Sequence, residues 1–266
     1  MGARIPPQTD PAVMGHFIEF RNVSKAFDDH IVLDDISFFV DPGETCVIMG
    51  RSGVGKSVTL KHILGFLRPD SGRVLVAGED ITDWNEVQLT EIRRRVTMVF
   101  QAGALFDSLT VAENIAFPLE TRKDLTDEQK EARVAELAEM LEVAQLADKL
   151  PSELSTGMKR SVAIARALAQ DPDAILYDEP TTMVDPLMAA HTGDLILRLK
   201  EKFRKTSVVV THDTHLAKKL ADRVIFLHES RVVFFGTWPE LESTDDPFLR
   251  NFLLQDALIP ALDASA

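Results

Sequence analysis

Along this chain, short runs that are apolar at nearly every position alternate with stretches whose apolar residues return every three or four positions, and the two patterns predict different elements. "FIEFRNVSKAF" and "IVLDDISFFV", between Phe17 and Val40, are rich in β-branched and aromatic residues around the polar "DDH", which predicts an antiparallel pair of strands. "TCVIM" reads as a short strand entering a glycine-rich turn, after which Leu60, Ile63, Leu64 and Leu67 keep helical spacing until "RPDSG" stops the helix. Between Gln101 and Leu154 helix formers dominate, and Val134, Leu137, Met140 and Leu141 form one stripe. This predicts a helical subdomain, about 102–165, inserted into an α/β core. Beyond it, "DAILYDEP", "TSVVVTHD" and "DRVIFLHESRVVFFG" read as buried strands separated by helical segments, the alternation of a mostly parallel sheet.

The two ends depart from this pattern. Residues 1–15 carry three prolines and no periodicity and are expected to be a flexible arm before a main domain over 16–246. In the tail, 247–266, Phe248, Leu249, Phe252 and Leu253 form an apolar arc over two helical turns, which Asp256 and Pro260 interrupt. The tail is therefore expected to be a short docked helix followed by a loose end. No apolar run approaches the length of a membrane span, and the first residues lack the apolar core of a secretory signal. The chain is expected in the cytosol, reaching a membrane only through a partner. The single cysteine, Cys46, excludes an internal disulfide framework. With 29 basic and 42 acidic residues, a formal charge of −13, no nucleic acid partner is expected. The basic stretches "RRR" (Arg93 to Arg95) and "LKEKFRKT" read as solvated helix faces.

The chemistry begins at "GRSGVGKS". Its G-x-x-x-x-G-K-S spacing follows a strand and opens a helix, where backbone N–H groups and the helix N-terminus cradle phosphates. Gly50, Arg51, Ser52, Gly53, Val54, Gly55, Lys56 and Ser57 are the expected ATP-binding residues, with Lys56 reaching the β/γ-phosphates and Ser57 a ligand of Mg²⁺. "AILYDEP" ends an apolar strand in two carboxylates: Asp178 toward Mg²⁺, and Glu179 as general base for the attacking water. Gln101 and His212 each follow a β-rich segment, where a lone Gln or His is usually structural. Ser155, in "LSTGMKRS", reads first as an N-cap of the helix "MKRSVAIARALA".

The order of these pieces resembles the ATP-binding subunits of ABC transporters over roughly Phe17 to Gly236. The parts are "GRSGVGKS" (Walker A), Gln101 (Q-loop), "LSTGMKRS" (signature), "AILYDEP" (Walker B), "TTMVDP" (D-loop, with Asp185) and His212 (switch histidine). The resemblance implies a P-loop NTPase (RecA-like) core with a mostly parallel sheet, an N-terminal antiparallel β-subdomain and the inserted helical subdomain. It implies ATP and Mg²⁺ as cofactors, with Gln101 a further metal ligand and, with Glu179 and His212, a catalytic residue, and Phe27 stacked on adenine. It also implies a head-to-tail dimer with a second copy of the chain, in which Ser155, Gly157 and Met158 hold the γ-phosphate of the partner's ATP. Thr156 stands where the family usually has glycine, and Met183-Val184 where it usually has Gly/Ala-Leu, which puts rate and dimer closure in question.

Within the family, "FQAGALFDSLTVAENIAFPL" and "PSELSTGMKRSVAIARALA" look most like the ATPases of Mla/Mce-type lipid transport systems. That similarity implies a transmembrane permease, an Mce-type lipid-binding protein, and a peripheral position on the cytoplasmic side of the inner membrane. It implies that "GALF" lines the groove receiving the permease, and leaves the segment from Leu253 to Leu262 an intersubunit role while Phe248 and Leu249 pack on the chain itself. An ATPase of an amino acid or other small-solute importer shares every catalytic element. A soluble ABC ATPase of DNA repair or translation usually has two cassettes or a coiled-coil insertion, and one cassette without such an insertion is seen here.

Overall fold

A computed structural model describes residues 15–101 and 103–254; the arm expected at 1–15 falls almost wholly outside them, as does the tail beyond 254. The chain opens with β1 (Ile18–Phe27) and β2 (His30–Val40), paired antiparallel from Ile18 opposite Val40 to Phe27 opposite His30. There follow β3 (Thr45–Met49), α1 (Lys56–Ile63), β4 (Ser71–Val76), β5 (Glu79–Asp80), α2 (Glu86–Arg95) and β6 (Val96–Val99). Three helices come next: α3 (Val111–Ala116), α4 (Asp127–Met140) and α5 (Thr156–Ala169). The remainder alternates as β7 (Ala174–Asp178), α6 (Pro186–Phe203), β8 (Thr206–Val210), α7 (Thr214–Leu220), β9 (Arg223–His228), β10 (Arg231–Gly236) and α8 (Trp238–Glu242), and a last helix occupies 247–254.

Two sheets result. The antiparallel one has the order β2-β1-β4-β5; the other has the order β10-β9-β3-β8-β7-β6, parallel from β9 to β6 with β10 antiparallel at its edge. Strands buried on both faces are mostly apolar, and their alternate residues enter different cores. Val47 and Met49 of β3, Val209 of β8 and Phe226 of β9 face the helices. Cys46, Ile48, Val208 and Ile225 face the antiparallel sheet, α1 and α2.

The helical layer follows its sequence pattern. Leu137 and Leu141 are buried, with Val134 and Met140 packed beside them. Asn85, Thr110 and Thr126 start α2, α3 and α4, each through a capping box that satisfies orphan N–H groups. One boundary differs from expectation. The helix expected to run through Leu67 ends at Ile63, because Gly65 takes a left-handed φ of +65° and the N–H of Phe66 turns back to the carbonyl of Lys61 at 2.8 Å. A side chain is excluded there, since a Cβ on Gly65 would come within 2.3 Å of Leu89 Cδ2.

The basic run at the end of α2 is consumed within the chain: Arg93 pairs with Glu86, Arg94 with Glu91 and Arg95 with Asp173. The tail arc packs on the chain's own core. Leu249 is buried, Phe248 and Phe252 meet Phe226 edge-on at 5.9 and 4.8 Å, and Leu253 packs beside them. Of the segment from Leu253 to Leu262, for which an intersubunit role is expected, Leu253 packs on the chain's own core and Leu254 is exposed, while 255–262 lie outside the described residues.

Candidate nucleotide site

The site forms beyond the carboxyl ends of β3, β7 and β8, where loops leave a parallel sheet and ligands of such folds collect. β3 delivers the phosphate loop. At its first residue, Gly50, φ is +146° and a Cβ would lie 2.4 Å from the carbonyl oxygen of Leu227, so only glycine lets the strand turn there. The loop then enters α1 through Gly55. No side chain caps this helix and its first turn carries no acidic residue, so its N-terminal N–H groups and dipole are left able to take an anion.

Lys56, only 6% exposed, extends back along the loop. Its Nζ donates to the carbonyls of Gly50 (2.8 Å) and Arg51 (3.1 Å) and lies 3.2 Å from Glu179 Oε1. The next residue, Ser57, donates its hydroxyl to Asp178 Oδ1 at 2.8 Å, joining the phosphate loop to the end of β7. Burial raises the pKa of Asp178, against the stabilising hydrogen bond from Ser57.

Glu179 follows with φ +48°, a left-handed conformation that costs a non-glycine residue on the order of 1–3 kcal/mol and that functional sites tolerate. Its N–H is held by the carbonyl of Val210 at 2.9 Å. Its Oε2 accepts a hydrogen bond from Thr182 Oγ1 (3.1 Å) and lies 2.9 Å from His212 Nδ1. One carboxylate thus meets the phosphate-loop lysine through one oxygen and the residue after β8 through the other.

These groups border one open cleft of about 680 Å³. Phe27 stands at its rim, 43% exposed, and Arg51, Ser52, Gly53 and Gly55 line the loop side. Lys56 and Ser57 line its floor, and Gln101, Glu179 and His212 the side opposite. Gly50 and Val54 shape the loop without lining the cleft, and Asp178 reaches it through Ser57.

Four residues of the sequence reading lie apart from this cleft. Ser155 caps α5, accepting the N–H of Met158 at 3.3 Å, and both residues are exposed. Gly157 is buried beneath Met188, whose Cε would lie 2.1 Å from a Cβ there, and Asp185 caps α6 through the N–H of Met188 at 3.0 Å. One chain therefore presents a nucleotide cleft and, separately, an exposed helix N-terminus.

Sequence reasoning missed His30, Thr182 and Phe252 in this cleft. Thr182 carries a local signal, since a hydroxyl three residues after Glu179 can return to it. Phe252 carries none; it arrives because the last helix docks on β9, where Phe248 stacks on His228 at 3.8 Å and lies under the Arg51 guanidinium at 5.9 Å.

A second, shallower groove of about 400 Å³ lies between α2, β6 and α5. Phe66, Phe100, Ala104, Phe106 and Phe117 line it, and the four phenylalanines are each 39–50% exposed. Of "GALF", Ala104 and Phe106 face this groove while Leu105 packs inward. Phe106 meets Phe117 at 4.4 Å and carries the Arg166 guanidinium over its ring at 5.4 Å.

Residues 33–182 match the family described as ABC transporter. The chain is 35% identical over 240 residues to the probable ribonucleotide transport ATP-binding protein mkl of Mycobacterium leprae, covering 90% of this chain and 69% of that protein. It is 37% identical over 238 residues to the intermembrane phospholipid transport system ATP-binding protein MlaF of Haemophilus influenzae, covering 90% of both. Among solved structures it superposes, with a TM-score of 0.75 and 34% identity, on a dimeric ATP-binding cassette in a post-hydrolysis state bound to ADP and Pi, covering 83% of this chain and 98% of that one. The family match over more than half of the chain and these relatives show that the chain belongs to the ABC transporter family, as an ATP-hydrolysing subunit.

Proposed function

We propose that this subunit powers lipid transport between membranes, working as a head-to-tail dimer on a transmembrane permease together with an Mce-type lipid-binding protein. The observation that carries the lipid assignment is the relationship to MlaF, which spans 90% of both chains, whereas the match to mkl leaves about a third of that protein uncovered. The exposed phenylalanine groove supports a permease contact, because a soluble chain rarely leaves such a patch open without a partner. Among the described residues no helix is long and apolar enough to cross a membrane, so the permease supplies the attachment, on the cytoplasmic face of the inner membrane.

In this reading ATP lies in the cleft with adenine against Phe27 and its phosphates on the 50–57 loop. Lys56 turns from the carbonyls of Gly50 and Arg51 to the β/γ-phosphates, which releases Glu179 to orient water, with His212 holding its other oxygen. Ser57 and Asp178, already in contact, and Gln101 fit Mg²⁺, a hard cation that takes a few protein oxygens and completes its shell with phosphate and water. Bound there, the ion neutralises phosphate charge. Ser155 and Met158, both exposed, and Gly157, once the Met188 side chain moves off it, hold the γ-phosphate bound to the partner, since the N-terminus of α5 lies outside the cleft of its own chain. Asp185 sets the loop between the two sites.

The test is reconstitution with an Mla-type permease, in liposomes containing fluorescent phospholipid and Mce protein. ATP-dependent lipid movement is the expected result. Transport of a polar amino acid instead, with no lipid movement, would sink the assignment and leave the ATPase chemistry standing.

A further inference from the structure

Arg160 sits in the second turn of α5, 3% exposed, and among the described residues no carboxylate pairs with it. Its Nη2 donates to the carbonyl of Thr182 at 2.9 Å and to the carbonyl of Gln101 at 3.2 Å, while Nη1 is buried without a partner. Burying a guanidinium on two carbonyls is a costly way to fill space, and a methionine of similar length would fill it without the charge. The arrangement suits a different task. A planar, rigid fork fixes relative positions better than a flexible ammonium or an apolar side chain.

The three segments it joins are the ones that matter for hydrolysis. α5 begins at the Ser155 cap. Gln101 lines the nucleotide cleft, and the Thr182 hydroxyl holds Glu179 Oε2. A small shift of α5 carries the guanidinium with it and displaces both carbonyls, and movement at Thr182 changes the hydroxyl that orients Glu179.

We propose that Arg160 is a positioning residue that couples the signature helix to the nucleotide site of its own chain, so that engagement of the partner's ATP at Ser155 is felt at Gln101 and Glu179. This rests on the trans role proposed for Ser155. The coupling makes the two ATP sites of a dimer cooperative.

The test compares Arg160→Met and Arg160→Lys with the unaltered full-length chain, using Mg-ATP. The expected result for Arg160→Met is a kcat lower by about tenfold, within the usual range of coupling between sites, and a Hill coefficient falling toward unity. ATP affinity measured below the dimerisation concentration stays within about twofold, because Arg160 does not itself line the cleft and holds two of its residues only by their backbone carbonyls. Arg160→Lys, which keeps the charge and reaches one carbonyl at a time, falls between the two and carries the test should the methionine variant not fold. Unchanged cooperativity and kcat in the folded variants overturn the proposal. So does a loss of monomer ATP affinity equal to the loss of kcat, the mark of a merely structural role. Ser155→Arg separates the two levels: full cooperative ATPase in that variant removes the trans reading itself, whereas loss of ATPase there with unchanged kcat and cooperativity in the Arg160 variants removes only the coupling.

Discussion

His212 Nδ1 lies 2.9 Å from Glu179 Oε2 while Lys56 Nζ lies 3.2 Å from Oε1 of the same carboxylate, so Glu179 is held at both ends by residues arriving from different strands. A carboxylate so clamped has little freedom to rotate, which suits a base that must meet water at one angle.

Glu179→Gln keeps the size and most of the hydrogen bonding but cannot accept a proton. Turnover is expected to fall roughly 10²-fold or more, the scale of a lost general base, with ATP affinity retained and an ATP-bound dimer accumulating. Steady-state hydrolysis and size-exclusion chromatography with ATP check this, and near-normal turnover would remove Glu179 from that role.

Asp178 gives a pH-dependent prediction. Its folded pKa is raised by burial, so the folded state holds this proton more tightly than the unfolded chain does. The associated stability is present below the unfolded value of an aspartate and is lost as pH rises through the folded one. Asp178→Asn, which still accepts from Ser57, is therefore expected to melt at the same temperature as the unaltered chain or higher at pH 7, with the difference shrinking at acid pH, while hydrolysis falls. Melting curves across pH decide it; a lower melting temperature at neutral pH contradicts the burial argument.

Phe252 shares the nucleotide cleft with Phe27 and packs edge-on against Phe226. Its ring is expected to form a second apolar wall near the base or ribose. Phe252→Ala should raise the dissociation constant for ATP about two- to tenfold, the worth of one aromatic contact, and Phe252→Leu should restore part of it. Equal affinity in all three chains would leave Phe252 a packing residue only.

The trans arrangement is checked by mixing. Ser155→Arg and Lys56→Ala chains, each inactive alone, are expected to regain hydrolysis together, because the mixed dimer carries both lesions in one composite site and none in the other. Because the proposed coupling links the two sites, the recovery is expected to be partial, and mixed dimers that form and stay silent would rule out either the head-to-tail arrangement or hydrolysis at one composite site alone.

By itself the sequence determined the parts that depend on neighbours along the chain. The phosphate loop was legible because its glycines and Lys56-Ser57 must follow a strand and open a helix, and the buried strands because residues covered on both faces are apolar at successive positions. The Ser155 cap of α5 was local in the same sense. The family order then supplied Gln101 and His212, which no local pattern separates from structural residues.

Only the tertiary structure decided the rest. The β3-β8-β7 order brings Ser57 to Asp178 and the loop after β8 to Glu179, across separations that chain periodicity does not encode. α1 stops at Ile63 because the Leu89 side chain and a left-handed Gly65 occupy the next turn, although the apolar spacing runs on to Leu67. Arg160, in a polar stretch of helix, faces inward to two carbonyls, and Phe252 returns to a cleft whose other lining residues lie between Phe27 and His212. The physical reason is the same in each case: hydrophobic pattern specifies which face of an element is buried, while the partner it is buried against is chosen by packing among elements distant in sequence.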